Sequence, residues 1–99
     1  MWRFAFTVGD SFTVRRLGLI LFPSVGQLDH GLRIGDTLEL RRPDESARRT
    51  TVVCLNPVHA NPTPFWALVL PDWQPLDAPV GTQVWVAEAE PAAAPDPAT

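Results

Sequence analysis

Apolar and polar residues alternate along much of this chain, and proline or glycine interrupts the alternation every few residues. At the start, Trp2, Phe4, Phe6 and Val8 occupy every second position. This is the period of a half-buried β-strand, and no helical period fits the segment as well. The chain contains 11 proline and 6 glycine residues among its 99 residues, and no segment shows a convincing helical pattern. The alternation therefore predicts an all-β fold.

Six or seven short strands are predicted between residues 1 and 87. The Gly9-Asp10 pair predicts a bulge or bend rather than a strand end, because the alternation resumes at Phe12 and Val14. The segment 56–64 contains three prolines and is predicted to be an irregular connection. The further strands are predicted at residues 17–22, 37–42, 50–55, 65–70 and 83–87.

Two of these strands are apolar at consecutive positions, which predicts burial on both faces. They are the segments 17–22 and 65–70. No helix is available to cover a second face, and an open sheet would leave apolar edges exposed. We therefore predict a small closed Greek-key barrel of six to seven strands that spans residues 1–87. Residues 88–99 are rich in proline, alanine and acidic residues, and they are predicted to form a disordered tail.

Charge and cysteine content exclude several classes of function. The formal net charge is -3, but residues 1–87 contain eight arginines and eight acidic residues and are neutral. A neutral domain lacks the broad positive field of non-specific nucleic-acid binders and membrane-surface proteins. The single cysteine, Cys54, cannot form an internal disulfide, which favours a reducing compartment and a cytoplasmic location. No apolar run approaches the about 20 residues of a membrane span, so no membrane partner is predicted.

Three segments combine alternating apolar residues with turn residues in a distinctive order. They are Phe6-x-Val8-x-Asp10-x-Phe12-x-Val14 followed by Gly18-x-Ile20, then Leu32-Arg33-Ile34-Gly35-Asp36-x-Leu38-x-Leu40, and last Ala78-Pro79-Val80-Gly81-x-x-Val84. Together these segments resemble the β-barrel domain two of elongation factor Tu and related translation GTPases. The resemblance implies a barrel of this type as a free-standing domain, and it implies contact with tRNA or the ribosome without matching any contact residue individually. It does not imply GTP chemistry, because the phosphate-binding sequence Gly-x-x-x-x-Gly-Lys-Ser/Thr is absent.

No group of residues predicts a catalytic, cofactor or metal site. His30, His59 and Cys54 do not have the spacing of a zinc site, and Cys54 fits an apolar strand as a small buried residue. Most of the acidic residues fall at turns, where carboxylates bond backbone amides. Asp36 is predicted to do so at the Gly35 turn. We therefore predict that the protein is not an enzyme and needs no cofactor.

Two pairs of arginines flank one predicted hairpin tip and are candidates for contact with a partner. Neighbouring residues of a strand point to opposite faces, so only one arginine of each pair can join a given patch. The alternative is a solvated hairpin end whose charge Asp44 and Glu45 balance. The four candidates are Arg41, Arg42, Arg48 and Arg49.

Trp73 is the fifth candidate because it lies in the proline-rich loop at residues 71–75. A large aromatic residue in such a loop either plugs one end of the barrel or anchors an interface. Trp66 and Trp85 lie in predicted strands, and we expect packing roles for both rings.

The function predicted from these residues is that of a non-enzymatic binding module. It would act through protein–protein contacts as a regulator, an adaptor or an immunity-type protein in a bacterium. The alternative is a module associated with RNA, tRNA or the ribosome, which the resemblance and the hairpin arginines motivate. A third hypothesis is an enzyme or small-ligand carrier that uses the barrel mouth.

Overall fold

The computed structural model of the protein describes residues 1–24, 30–59 and 64–88. These residues form seven antiparallel strands and one short 3₁₀ turn at Pro75–Asp77. No α-helix occurs among them, and none of their helical segments is long and apolar enough to span a membrane. Of the predicted tail at 88–99, only Glu88 lies within the described residues. The strands are β1 (Trp2–Val14), β2 (Gly18–Pro23), β3 (Thr37–Arg41), β4 (Ala47–Thr51), β5 (Cys54–Val58), β6 (Phe65–Leu70) and β7 (Gln83–Ala87).

The predicted all-β class is confirmed, and β6 and β7 have the predicted bounds. The prediction of one strand at 50–55 is wrong. β4 ends at Thr51 and β5 begins at Cys54, so residues 56–58, which were expected to be irregular, continue β5. β5 tolerates Pro57 because it lies at the edge of the sheet and pairs only with β6.

The sheet is rolled, as the strand order and the connection between its two edge strands show. The order is β4-β3-β7-β1-β2-β6-β5, and a flat sheet of this width would separate its edges by about 29 Å, or six strand spacings. Only Val52 and Val53 link β4 to β5, and three Cα steps span at most about 11 Å. The two edges therefore meet at one corner. No backbone pairing joins β4 to β5 within the described ranges, so the roll is open and the predicted closure is not seen.

β1 connects the two halves of the roll and changes partner along its length. Its first half pairs with β7 and its second half with β2. The β1–β2 register shifts between Val8 and Asp10, which confirms the predicted irregularity at Gly9. A Cβ atom at Gly9 would lie 2.9 Å from the Cα of Ser24, so a side chain does not fit this bend without movement of the backbone. The bend lets both halves wrap one core.

The core lies inside the roll and takes residues from both halves. Trp73 and Ala78, from the segment around the 3₁₀ turn, are buried against the same cluster. On the opposite face of β2 and β6, Ile20, Ala67 and Val69 form a second buried group, which confirms the predicted two-sided burial. The strand residues of the main core are Phe6, Val8, Leu19, Leu21, Leu38, Leu40, Leu68, Leu70, Val84 and Val86.

Two polar side chains, the buried His30 and the turn residue Asp36, form hydrogen bonds with backbone groups. The Nδ1 atom of His30 accepts the Leu32 N–H at 3.1 Å, and its Nε2 lies 2.6 Å from the Trp66 carbonyl oxygen. With Nδ1 as the acceptor, Nε2 is the ring nitrogen placed to donate to the Trp66 carbonyl oxygen. Asp36 accepts the Arg33 N–H at 2.9 Å, so its predicted backbone bond at this turn is confirmed.

Candidate functional site

The four hairpin arginines are divided between the two faces of the sheet, one from each doublet on each face, as strand alternation predicts. Arg48 stands opposite Leu40, which is buried, whereas Arg49 stands opposite Glu39. Arg41 shares the outer face of the sheet with Arg49, because they lie on neighbouring strands at positions of the same parity. Arg42 reaches in the other direction, toward the 3₁₀ turn. Only Arg41 and Arg49 therefore contribute to one outer patch.

On this outer face each arginine stacks on a tryptophan ring. The Arg41 Cζ lies 4.4 Å from the centroid of the Trp85 ring, and the Arg49 Cζ lies 5.1 Å from that of Trp2. Phe4 meets Trp85 edge to face, with the ring centroids 5.4 Å apart. Such contacts between a cation and an aromatic ring stabilise exposed sites by about 0.5–1 kcal/mol each. We call the six residues on this face the Trp–Arg surface: Trp2, Phe4, Glu39, Arg41, Arg49 and Trp85.

Glu39 lies between the two arginines and holds both. Its carboxylate accepts the Nε–H of Arg41 at 2.6 Å and that of Arg49 at 3.1 Å. The Glu39 side chain is only 14% exposed, against 40% for Arg41 and 67% for Arg49. The hydrogen bond from Arg41 lowers the pKa of Glu39, and Arg49 adds to this effect against the opposing effect of burial. Glu39 is therefore ionised at neutral pH and fixes both guanidinium groups.

Part of the hydrogen-bonding capacity of this surface is unused within the part of the chain that the structure describes. Among the described residues, the Nη groups of Arg41 and Arg49 donate no hydrogen bond. Since one carboxylate faces two guanidinium groups, the three charged residues together carry one positive charge. An open cleft of about 470 Å³ extends the surface past Arg41 toward Glu45 and Gln83.

Cross-strand register explains how the surface forms. A single row crosses four strands, because Phe4 pairs with Trp85, Trp85 with Glu39 and Glu39 with Arg49. Paired residues of neighbouring strands lie on the same face, about 5 Å apart. The row therefore places two rings and two charges side by side.

The aromatic residues of this surface were not among the predicted binding residues. The simple alternation places Phe4 on the face of Phe6, but the β1–β7 register shifts between these two residues. The extra residue moves Phe4 to the outer face, where it is 37% exposed. The position of Trp85 on the outer face could have been predicted from the sequence, because its apolar neighbours Val84 and Val86 occupy the inner face of β7.

Arg42, Arg48 and Trp73 instead attach the 3₁₀ turn to the hairpin. The Arg48 Cζ lies 4.1 Å from the centroid of the Trp73 ring, and its Nη1 lies 3.7 Å from a carboxylate oxygen of Asp77. Arg42 donates its Nε–H to the Asp77 carbonyl oxygen at 2.6 Å. Trp73 is 5% exposed, so it occupies the position of a plug and offers no anchor to a partner. These three candidates therefore lie outside the Trp–Arg surface.

Trp66 differs from the packing role expected for it. Trp66 is 54% exposed near the start of β6, where it pairs with Pro57 of the edge strand β5. It belongs to the other half of the roll and is separate from the Trp–Arg surface. Trp66 is therefore a natural control for tests of the Trp–Arg surface.

No metal site emerges from the described residues, which hold no group of three or more metal-ligating side chains. Comparison of the chain with protein-family models, with curated proteins and with solved structures finds no match in any of the three. The resemblance to domain two of elongation factor Tu stays a prediction. The geometry of the Trp–Arg surface therefore carries the functional argument.

Proposed function

We propose that this protein is a non-enzymatic module that binds another protein through its Trp–Arg surface. The observation that carries the proposal is the pair of arginines that Glu39 holds against half-buried tryptophan rings. Within the described part of the chain, the Nη groups of these arginines donate no hydrogen bond. Tryptophan and arginine are the residues that most often dominate the binding energy of protein interfaces. Because Glu39 already orders both arginines, less side-chain entropy is lost when a partner binds.

The charge of the surface favours a protein partner over a nucleic acid. Glu39 neutralises half of the positive charge at this face, and Arg41 already covers one face of the Trp85 ring. Binding of single-stranded RNA relies on many unpaired cations and on open rings for base stacking. Association with RNA or the ribosome is the alternative, and it draws its support from the juxtaposition of rings and guanidinium groups on a sheet face.

We also propose that the fold is related to the translation-factor barrel. Its support is the rolled sheet, in which β4 and β5 meet at one corner around a single core. A Greek-key barrel architecture that stays open between β4 and β5 belongs to this proposal, as does a cytoplasmic location. The role as regulator, adaptor or immunity-type protein follows from the identity of the partner.

An affinity-capture experiment with two matched variants tests the proposal. The full chain is immobilised and exposed to an extract of its source organism, and the bound material is compared among the native protein, Trp85→Ser and Trp66→Ser. We expect a defined protein that the native chain and Trp66→Ser retain and that Trp85→Ser loses by about tenfold or more, as for a hot-spot residue.

Two outcomes would overturn the proposed function. Equal capture by both variants would remove the Trp–Arg surface from the interaction. Capture of RNA whose binding falls steeply with added salt would establish the alternative instead. Circular dichroism of Trp85→Ser guards against a loss that arises from misfolding.

A further inference from the structure

β4 forms an open edge directly beside the Trp–Arg surface. It pairs with β3 alone. At the two ends of the hairpin, backbone hydrogen bonds run from the Arg42 N–H to the Ser46 carbonyl oxygen and from the Val52 N–H to the Asp36 carbonyl oxygen, each at 2.8 Å. Because bonded pairs alternate along an antiparallel ladder, the residues between them that bond β3 are 48 and 50. Ala47, Arg49 and Thr51 therefore direct their N–H and C=O groups away from the sheet.

These outward groups have no backbone partner within the described ranges. Four of the five β4 residues are exposed, and β4 contains no proline. The opposite edge strand, β5, carries Pro57, which removes one donor. Of the two edges of the roll, β4 is therefore the one whose backbone N–H and C=O groups can pair with another strand.

We propose that the partner adds an extended segment to β4 as a further strand, and that this segment carries acidic side chains. The inference rests on the proposed function and specifies how the partner is bound. Backbone bonds to Ala47, Arg49 and Thr51 would supply affinity, and alternate side chains of the added strand would lie on the face of the Trp–Arg surface.

Charge specifies the chemistry of the added strand. Arg49 projects from one face of β4 and Arg48 from the other, with 67% and 47% of their side chains exposed. An added strand would therefore meet a guanidinium group on each face, which favours carboxylates at both. A second copy of this chain is disfavoured, because an antiparallel pairing of two β4 strands centred on Arg49 would place like charges opposite each other.

The direct test uses the capped peptide Thr-Glu-Glu-Val-Glu-Glu-Thr, whose neighbouring glutamates point to opposite faces of an extended strand, and the isotopically labelled full chain. Backbone amide NMR shifts and hydrogen exchange are followed during titration. We expect the Ala47, Arg49 and Thr51 amides to shift and their exchange to slow about tenfold or more on saturation. The amides of residues 48 and 50, which already bond β3, should show little added protection.

Two control peptides separate the backbone contribution from the charge contribution. Replacement of the glutamates by lysine should weaken binding about tenfold or more, since one ion pair of about 1.4 kcal/mol corresponds to that factor. N-methylation at alternate residues, which removes the donors that would face β4, should abolish binding. No binding at about 1 mM peptide, the weak end of measurable affinities, or shifts confined to another part of the protein, would overturn the inference.

The variant Ala47→Pro distinguishes this inference from the proposed function. Ala47 is the first residue of β4, and its N–H points away from β3, so proline removes only the outward donor. We expect Ala47→Pro to weaken both the peptide and the captured partner. If Trp85→Ser loses the partner while Ala47→Pro retains it, the proposed function stands and strand addition is wrong. If Ala47→Pro loses the partner and Trp85→Ser retains it, the Trp–Arg surface is the part that fails.

Discussion

The two halves of the roll have different outer faces, although the same alternation of side chains builds both. On the β2–β6 side, Phe22 contacts both Phe12 and Phe65 with its ring, at centroid distances of 5.2 and 5.8 Å. These rings and their neighbours cover aliphatic residues that are almost fully buried. On the β3–β7 side the outer residues are tryptophan, glutamate and arginine, which stack and pair. The arginine Nη groups there donate no hydrogen bond to any residue in the described ranges. One outer face is thus packed against itself, whereas on the other face Glu39 holds two arginines through their Nε–H groups.

This contrast explains why we assign function to the Trp–Arg surface. An exposed aromatic cluster alone is compatible with simple packing, and Phe12 is itself 50% exposed. A binding surface needs groups that a partner can satisfy at little cost in entropy. The Nη groups of Arg41 and Arg49 meet this condition, because Glu39 fixes the side chains without using those donors.

The largest expected effect comes from a charge placed on the packed outer face. Val69 is 0% exposed, and Val69→Asp would bury a carboxylate among aliphatic side chains. We expect the free energy of unfolding, measured with urea, to fall by about 3 kcal/mol or more, or the chain to fail to fold.

Thr51→Asp is the matched control for Val69→Asp, since Thr51 is an exposed strand residue on the outer side of the other half. It should change the free energy of unfolding by no more than about 0.5 kcal/mol. Equal losses in the two variants would show that the halves do not differ in the way described.

A second prediction concerns the bend that joins the halves. In Gly9→Ala the new methyl group would lie 2.9 Å from the Cα of Ser24, a backbone atom that cannot rotate away. The backbone must shift, and we expect a loss of about 1–3 kcal/mol in the free energy of unfolding. Ser11→Ala, two residues further along β1, should cost less than about 0.5 kcal/mol. A Gly9→Ala protein as stable as the native one would show that the bend does not require glycine.

Sequence reasoning succeeded where a local signal marks the structure. Gly9 marks the bend in β1. Each arginine doublet contributes one side chain to each face of the sheet, because adjacent residues of a strand point to opposite faces. It failed where the decisive feature has no such residue. The shift between Phe4 and Phe6 has only Ala5 at its centre, and the corner between β4 and β5 consists of Val52 and Val53. Both look like uninterrupted strand, because β-branched and small apolar residues suit strands as well as bends.

The contacts of the Trp–Arg surface could not be predicted from spacing for a related reason. Arg41 and Arg49 are close in sequence, but Trp85 and Trp2 reach them only through the pairing of β3 with β7 and of β7 with β1. Register of this kind is a property of the whole sheet. The same holds for the open roll, since the prediction of a closed barrel rested on apolar patterning, which is the same whether or not β4 and β5 pair.

The smallest expected effect on stability is that of Glu39→Gln, which tests whether Glu39 orders the binding face. Because the pKa of Glu39 is lower in the folded chain than its ordinary value, its charge stabilises the fold above the ordinary glutamate pKa of about 4.3. That contribution is lost as the pH falls through the lowered pKa. The exposed arginines limit its size, so Glu39→Gln should reduce the free energy of unfolding by no more than about 1 kcal/mol at pH 7.

The difference in the free energy of unfolding between Glu39→Gln and the native protein should therefore stay nearly constant from pH 7 to about pH 5 and shrink as urea unfolding is repeated down to about pH 3. Glu45→Gln, at a turn residue that forms no ion pair among the described residues, should show little difference at any pH. A difference for Glu39→Gln that is constant or grows toward low pH would contradict the role of its charge. Glu39→Gln should also weaken binding of the captured partner by more than its small loss of stability explains. In that case the carboxylate acts mainly by fixing Arg41 and Arg49 in the conformation that binds. This fixed arrangement is what distinguishes the Trp–Arg surface from the packed outer face.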